Sequence, residues 1–199
     1  KPVHAISSFY SIYNNITDHI KPDNREFINI KYGVDTLQMM KVVSDELDSN
    51  CLEMDPIQVS ELMSTQNNFY YCPYLYGFSN YARNNFKEFF LTYCNVLDLS
   101  GKGPFGTHLG GTGIAVSKVS KNIELAIEYA HWIASSDCQK NIFYKSGGQP
   151  ANAIAWQDKE INLETNNFFT NTRLTLDLAW VRPRHNGYME FQDEAGNII

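Results

Sequence analysis

Apolar residues recur at helical spacing along much of this chain, and the clearest example lies between residues 122 and 134. The apolar positions there follow one another in steps of one or three: Ile123, Ala126, Ile127, Ala130, Ile133 and Ala134. A stripe of this kind predicts an amphipathic helix with one face against a core. Similar spacing predicts helices over residues 1–15 and Val34–Leu47, and a further helix from Tyr188.

Two helix starts and one helix end carry recognisable signals. In Asp55–Gln58 an aspartate can cap a helix, a proline suits the first turn, and a glutamine three residues after the aspartate completes a capping box. Ser136 and Gln139 have the same spacing and predict a second capping box. The helix that follows should end at Gly147, because glycine readily adopts the left-handed conformation of a helix end.

Short apolar runs between these helices predict strands. The runs are Phe69–Cys72, Phe89–Leu97 and Ile114–Val116, each bounded by turn residues. Leu174–Trp180 favours a helix, and the polar segment Lys21–Arg25 with its proline predicts a loop. Helices outnumber strands and the two alternate, so the pattern predicts an α/β fold.

Composition and charge narrow the classes of function. A net charge of −6 without a run of Lys or Arg argues against nucleic acid as a partner. No apolar run approaches the roughly 20 residues that span a bilayer. The four cysteines lack the CxxC pairing of zinc sites, and we expect neither a metal nor a cofactor. Cys72 and Cys94 could be neighbours in a sheet, although buried free thiols are the simpler interpretation.

The order of several motifs resembles a known family. A strand ending in Cys-Pro-Tyr is followed by a glycine-rich crossover into an Ala-Val-Ser strand, a helix pair and a Gly-Gly-Gln-Pro element. The matching segments are Phe69–Asn80, Phe105–Ser117, Asn122–Ala134 with Cys138–Tyr144, Gly147–Trp156 and Trp180–Gln192. In this order and spacing they resemble bacterial extracellular solute-binding proteins of the sugar type (family 1), the ligand-capturing subunits of ABC importers.

The resemblance implies a fold and a domain organisation. It implies a type II periplasmic-binding-protein-like lobe, helix-rich around a mixed sheet. Residues 1–111 would belong to the C-terminal lobe, 112–165 to a crossover segment whose helix pair joins the other lobe, and 166–199 to the return. Family members are longer than 199 residues, so we expect an N-terminal lobe upstream and treat the chain as a C-terminal portion.

The resemblance also implies a function. Such proteins capture a small-molecule solute, here a mono- or oligosaccharide, by closing two lobes around it. The closed form then docks on the membrane permease of the importer. The expected location is extracellular or periplasmic, with a lipid anchor at the cell surface as one alternative.

A sugar receptor needs aromatic plates for the apolar ring face and planar hydrogen-bonding groups for the hydroxyls. The candidate plates are Tyr74, Tyr76, Trp156 and Tyr188. The candidate polar partners are Asn80, His108, Gln149 and Arg184, and Gly110 and Gly111 could let main-chain N–H groups approach a ligand. Each has a structural alternative: turn tyrosines, a core tryptophan, plain turn glycines, surface ion pairs or local backbone caps.

Catalytic readings have less support. A glycosidase needs two carboxylates roughly 5–10 Å apart, and none stands in the aromatic loops. Cys72 or Cys94 with His108 could imitate a nucleophile pair, but neither cysteine has a neighbour that would lower its pKa. The glycine-rich stretch at 106–113 lacks the Lys-Ser/Thr of a P-loop. We therefore expect a binding protein that is not an enzyme. The alternatives are a fragment of a secreted carbohydrate-active enzyme, a receptor for a non-sugar anionic or peptide solute, and an adhesive surface domain.

Overall fold

A computed structural model describes residues 1–17, 28–47 and 49–199, and it is largely helical. The α-helices are α1 (Pro2–Thr17), α2 (Ile30–Asp45), α3 (Pro56–Thr65), α4 (Ile123–Ala134), α5 (Ser136–Cys138), α6 (Ala153–Trp156), α7 (Lys159–Glu164), α8 (Phe168–Asp177) and α9 (Tyr188–Ile198). Short 3-10 helices lie at Ser49–Glu53 and Ser79–Ala82, and a π-helical turn at Gln139–Phe143. The predicted loop at Lys21–Arg25 lies outside the described residues.

The predicted α/β fold with a mixed sheet, and with it the type II periplasmic-binding-protein-like lobe, is wrong for this structure. The described residues are 55% helical with 1% strand and no sheet. The three runs predicted as strands, Phe69–Cys72, Phe89–Leu97 and Ile114–Val116, are irregular or extended, and much of each is exposed. Among the described residues the isolated bridge is a parallel one between His108 and Trp180. Apolar runs favour extended backbone, but a sheet also needs a paired neighbour in register, which sequence pattern alone does not supply.

The chain divides into two compact units. Unit 1 comprises Lys1–Tyr76, Asn95–Leu109 and Leu174–Ile199. Its core lies on one face of α1, which packs against α2 and α9. The buried side chains are Ile6, Phe9, Tyr10 and Tyr13, with Ile28, Met40, Trp180, Phe191 and Ala195 packed against them.

A polar stripe on α1 binds the segment 99–108 of the same unit. The stripe consists of Ser7, Ser11, Asn14 and Asn15. Asn15 is 2% exposed and makes the most contacts. Its Nδ2 donates to the carbonyls of Gly103 and Phe105 at 3.1 and 3.0 Å, and its Oδ1 accepts from the N–H of Leu99 at 2.8 Å. One amide thus satisfies three main-chain groups, as buried backbone requires.

Gly106 lets this segment cross α1 at close range. Its φ is +82°, and an added Cβ would lie 2.6 Å from Cβ of Asn14. Asn14 Nδ2 also donates to the Gly106 carbonyl at 3.1 Å. Both the conformation and the space therefore require glycine here.

Unit 2 comprises Gly77–Cys94 and Gly110–Arg173. Its core consists of Ala82, Tyr144, Ala155, Trp156, Ile161, Phe168 and Phe169, with Tyr93 packed against it. Phe169 lies at 5.0 Å between ring centroids from both Trp156 and Phe168, in edge-on geometry. Apolar burial of these rings is what holds the short helices α6 to α8 together.

The apolar stripe of α4 is not buried as predicted. The helix runs from Ile123 to Ala134 as its spacing indicates, but none of its residues is fully buried. Ala126, Ala130 and Ile133 are half-buried. Ile123 and Ile127 are 41% and 43% exposed. The periodicity identified the helix correctly, whereas burial depends on what packs beside it.

Local signals at helix ends agree better with the structure. The capping box at Asp55 is confirmed, with Asp55 Oδ1 accepting from the N–H of Gln58 and Gln58 Oε1 accepting from the N–H of Asp55, both at 2.9 Å. Gly147 adopts φ +88° after its helix, as predicted. The cap of α5 is Ser135 and not Ser136. The helix predicted from Leu174 ends at Asp177, before Trp180.

Candidate functional site

Unit 1 gathers aromatic and polar side chains around His108. The ring centroid of His108 lies 5.7 Å from that of Trp180 and 6.5 Å from that of Tyr76. The charge of Arg182 reaches His108, Tyr76 and Tyr188. We call these residues (Tyr76, His108, Trp180, Arg182 and Tyr188) the ring cluster.

Main-chain pairing fixes two members of the ring cluster. The N–H of Trp180 donates to the carbonyl of Thr107 at 2.7 Å, and the N–H of Leu109 donates to the carbonyl of Trp180 at 2.9 Å. The Trp180 indole then stacks on the buried Tyr10 ring at 5.0 Å between centroids. Main-chain hydrogen bonds thus place His108 and Trp180 side by side, independently of any contact between their side chains.

Two serines of α1 hold His108, one by its main chain and one by its imidazole. The main-chain N–H of His108 donates to Ser11 Oγ at 3.1 Å. The ring nitrogen Nδ1 of His108 lies 2.6 Å from Ser7 Oγ. Ser7 Oγ donates to the Val3 carbonyl at 2.5 Å. Burial raises the pKa of the Tyr76 phenol, and Ser7 opposes that rise. Ser7 therefore acts on two members of the ring cluster.

The other ring nitrogen of His108 is buried and has no hydrogen-bond partner in the protein. His108 is 7% exposed, and its Nε2 is among the buried polar atoms without a partner. Burial, aided by the Arg182 charge, lowers the pKa of His108 to about 4. The imidazole is therefore neutral at ordinary pH, with one nitrogen free to pair with a ligand.

Arg182 supplies the positive charge of the ring cluster. It is half-buried, and its guanidinium donates to Gln192 Oε1 at 3.0 Å. Burial raises the pKa of Tyr76 and of Tyr188, and the Arg182 charge opposes that rise in both. A guanidinium has five N–H donors, so this one keeps donors for further acceptors.

Of the site residues predicted from sequence, Tyr76, His108 and Tyr188 come together in the ring cluster. Tyr74 is half-buried in the same unit, and burial raises its pKa to about 12. Arg184 is exposed. The arginine of the ring cluster is therefore Arg182, two residues before the predicted Arg184.

The predicted residues of unit 2 make local structural contacts. Gln149 Oε1 accepts from the N–H of Ser79 at 2.6 Å, and Asn80 Nδ2 donates to the Gly147 carbonyl at 3.0 Å. Trp156 is 9% exposed in the core, and its indole donates to the Pro150 carbonyl at 2.6 Å. Each of these side chains already has a structural partner within the unit.

The two predicted site glycines lie next to each other in unit 2. Gly110 is half-buried and Gly111 is exposed. An added Cβ at Gly111 would meet nothing within 4 Å. Protein packing therefore does not explain the glycine at position 111, and its role as a ligand contact stays a prediction.

Sequence reasoning missed Ser7, Ser11, Trp180 and Arg182 as parts of the site. The two serines are four residues apart, on the side of α1 that also carries Asn14 and Asn15, and this polar spacing in an otherwise apolar helix is a usable signal. Nothing local marks Trp180, which pairs with main-chain groups more than 70 positions away. Nothing local marks Arg182 either, because its charge acts on His108 and Tyr76, which lie far from it in the chain.

The Ser7–His108 pair is not arranged as a nucleophile and its base. The Ser7 hydroxyl donates its proton to a hydrogen bond with the Val3 carbonyl, and the low pKa of His108 makes it a weak base. The ring cluster contains no carboxylate that could orient an imidazolium. Within the described residues, no three His, Cys, Asp or Glu side chains lie together so as to hold a metal ion.

All four cysteines are free thiols. Only Cys138 is buried, while Cys51 and Cys72 are half-buried and Cys94 is exposed. The prediction of free thiols agrees with the structure, but that of burial holds for Cys138 alone. Burial nevertheless raises the pKa of the Cys72 thiol, which keeps it protonated and unreactive at neutral pH.

Comparison with family models, with curated proteins and with solved structures gave no match to this chain. The resemblance to sugar-type solute-binding proteins therefore stays a prediction. In the parts of the chain that the structure describes, none of the helices combines the length and apolar character needed to cross a bilayer.

Proposed function

We propose that the chain is a non-catalytic binding protein for a small hydroxyl-bearing solute, with a carbohydrate as the favoured class. The observation that carries the proposal is the buried Nε2 of His108, which lacks a partner beside two aromatic rings. A buried polar atom without a partner costs about 1–3 kcal/mol. A ligand that pairs with it regains that free energy on binding.

The composition of the ring cluster suits a sugar. Tyr76 and Trp180 are half-buried rings that can pack on the apolar face of a pyranose. His108 and Arg182 offer an imidazole nitrogen and guanidinium N–H groups for hydroxyls. No acid or base for bond cleavage accompanies them in the cluster, which favours binding over hydrolysis. Transfer of the solute to the permease of an ABC importer, outside the cytoplasm, belongs to the same proposal through the family resemblance.

An anionic solute is the second candidate, because Arg182 places a positive charge at the ring cluster. A carboxylate could accept two parallel hydrogen bonds from the guanidinium. This candidate predicts that affinity falls steeply with added salt. A neutral sugar predicts little dependence on salt.

Calorimetric titration with neutral mono- and oligosaccharides tests the proposal. Thermal unfolding gives an independent readout, since a ligand at a hundred times its Kd stabilises the fold by about 2.7 kcal/mol. Tyr76→Ala should weaken binding tenfold or more, because it removes one plate. Tyr129→Ala is the matched control, since Tyr129 is a 53% exposed tyrosine on α4 in unit 2. Absence of saturable binding to every sugar and every anion tried would refute the proposal.

A further inference from the structure

We infer that Ser7 and Val3 hold His108 in the tautomer that carries its proton on Nδ1, so that Nε2 is an acceptor and selects a hydroxyl proton of a neutral solute over a carboxylate. The inference deepens the proposed function and rests on it for the identity of the ligand. The tautomer itself is a property of the free protein and can be measured without any ligand.

The Ser7 hydroxyl has a single proton to donate. Ser7 Oγ lies 2.5 Å from the Val3 carbonyl oxygen, which can only accept. Two oxygens so close need a proton between them, and Ser7 is the one that has it. Ser7 therefore has no proton left for His108, whose Nδ1 lies 2.6 Å from Oγ. The short Nδ1···Oγ contact is favourable only if Nδ1–H is the donor.

The lone pairs of Ser7 Oγ agree with this assignment. A hydroxyl oxygen has one proton and two lone pairs. With its proton directed to the Val3 carbonyl, Ser7 Oγ accepts from His108 Nδ1, and both short contacts are satisfied. A bare Nδ1 would face a lone pair of Ser7 Oγ, and the contact would lack a proton.

A neutral imidazole with a proton on Nδ1 has a lone pair on Nε2. His108 is 7% exposed, and its Nε2 is buried without a hydrogen-bond partner in the protein. The site lies just below the surface, because Tyr76, Trp180 and Arg182 around it are half-buried. A solute therefore reaches Nε2 only if these side chains move aside.

The lone pair and the guanidinium together define the group that fits. A hydroxyl can donate to Nε2 and accept from Arg182 at the same time. A carboxylate can accept from Arg182 but has no proton for Nε2, so its oxygen would face a lone pair and leave the buried nitrogen unpaired. Sites built for a donor reject analogues that lack it. A neutral polyol is thus favoured over an acid of the same shape.

Long-range ¹⁵N–¹H correlation spectra of the histidine rings test the tautomer, with the His108 signals assigned by their loss in His108→Asn. We expect the Nε2 resonance of a bare ring nitrogen and the Nδ1 resonance of a protonated one at about pH 7. On addition of a sugar that binds, Nε2 should shift upfield without gaining a proton. A protonated Nε2 in the free protein would overturn the inference, whatever the protein binds.

Matched pairs of a neutral hexose and its uronic acid (glucose with glucuronic acid, galactose with galacturonic acid) test the selectivity by calorimetry at constant ionic strength. The neutral member should bind at least tenfold more tightly. A uronic acid that matches or exceeds its neutral partner would overturn the inference and leave the proposed binding function intact. Failure of every sugar and acid to bind would refute the proposed function itself.

Two variants separate the roles of the ring nitrogens. His108→Gln places an amide oxygen near the position of Nε2, and His108→Asn retains a polar group near Nδ1 only. Affinity for the neutral sugar should fall at least tenfold in His108→Asn and recover partly in His108→Gln. Equal losses in two folded variants would overturn the acceptor role of Nε2.

Discussion

The most direct test of the ring cluster is the dependence of stability on pH that His108 should cause. Burial and the Arg182 charge lower the pKa of His108 from 6.5 to about 4 in the folded protein. In the unfolded chain the imidazole titrates near its ordinary value of about 6.5. At 1.36 kcal/mol for each pH unit between them, the difference amounts to about 3 kcal/mol. The side chain is 7% exposed, so solvent reduces this value only slightly.

The sign follows from proton binding. Between about pH 4 and 6.5 the unfolded chain binds the proton and the folded protein does not, so stability falls as pH decreases through this window. The contribution is fully present above about pH 6.5 and is lost below about pH 4. The guanidinium of Arg182 and the phenols of Tyr76 and Tyr188 lie nearby, and burial raises the pKa of both phenols from a value already far above this range.

Urea unfolding at steps of pH, followed by circular dichroism, measures this dependence. The carboxylates and the other histidines contribute equally to the pH dependence of the unchanged protein and of His108→Asn. The difference between the two stability curves therefore isolates His108. This difference should shrink by about 3 kcal/mol from pH 7 to pH 4. Arg182→Gln should raise the lower end of the window and reduce the total difference, because it removes a charge that opposes protonation of the folded protein. Parallel curves for the protein and His108→Asn would refute the burial of a neutral His108.

Three further substitutions test the contacts of α1 and a helix start by urea unfolding. Gly106→Ala should lower the free energy of unfolding by more than about 1–2 kcal/mol, the strain of a left-handed residue, because its Cβ would meet α1. Gly101→Ala, at φ +74° in open space, should lower it only by that strain. Similar losses in the two variants would contradict the close crossing. Asn15→Ala removes three hydrogen bonds to buried main chain and should cost about 3 kcal/mol, against under about 0.5 kcal/mol for the exposed Asn197→Ala. Asp55→Ala removes an N-cap and should cost about 1 kcal/mol; an unchanged midpoint would argue against the capping box.

The features that sequence predicted correctly are local ones. The capping box at Asp55 and the left-handed Gly147 depend on residues within one helical turn, so their signals lie together in the chain. The helix Ile123–Ala134 was likewise predictable, because its apolar spacing is a property of that segment alone. The predicted sheet failed because pairing of an extended run depends on a distant partner, and Phe89–Leu97 contains nothing that specifies one.

The site follows the same division. Tyr76, His108 and Tyr188 could be chosen from sequence because aromatic and imidazole side chains near turns suit a binding surface in many folds. What makes His108 distinctive is Ser7, which lies 101 residues away and determines which ring nitrogen carries the proton. Arg182 then acts through charge and not through any motif. The chemistry of the ring cluster therefore depends on three-dimensional proximity, and residue types alone leave both the tautomer and the preferred solute open.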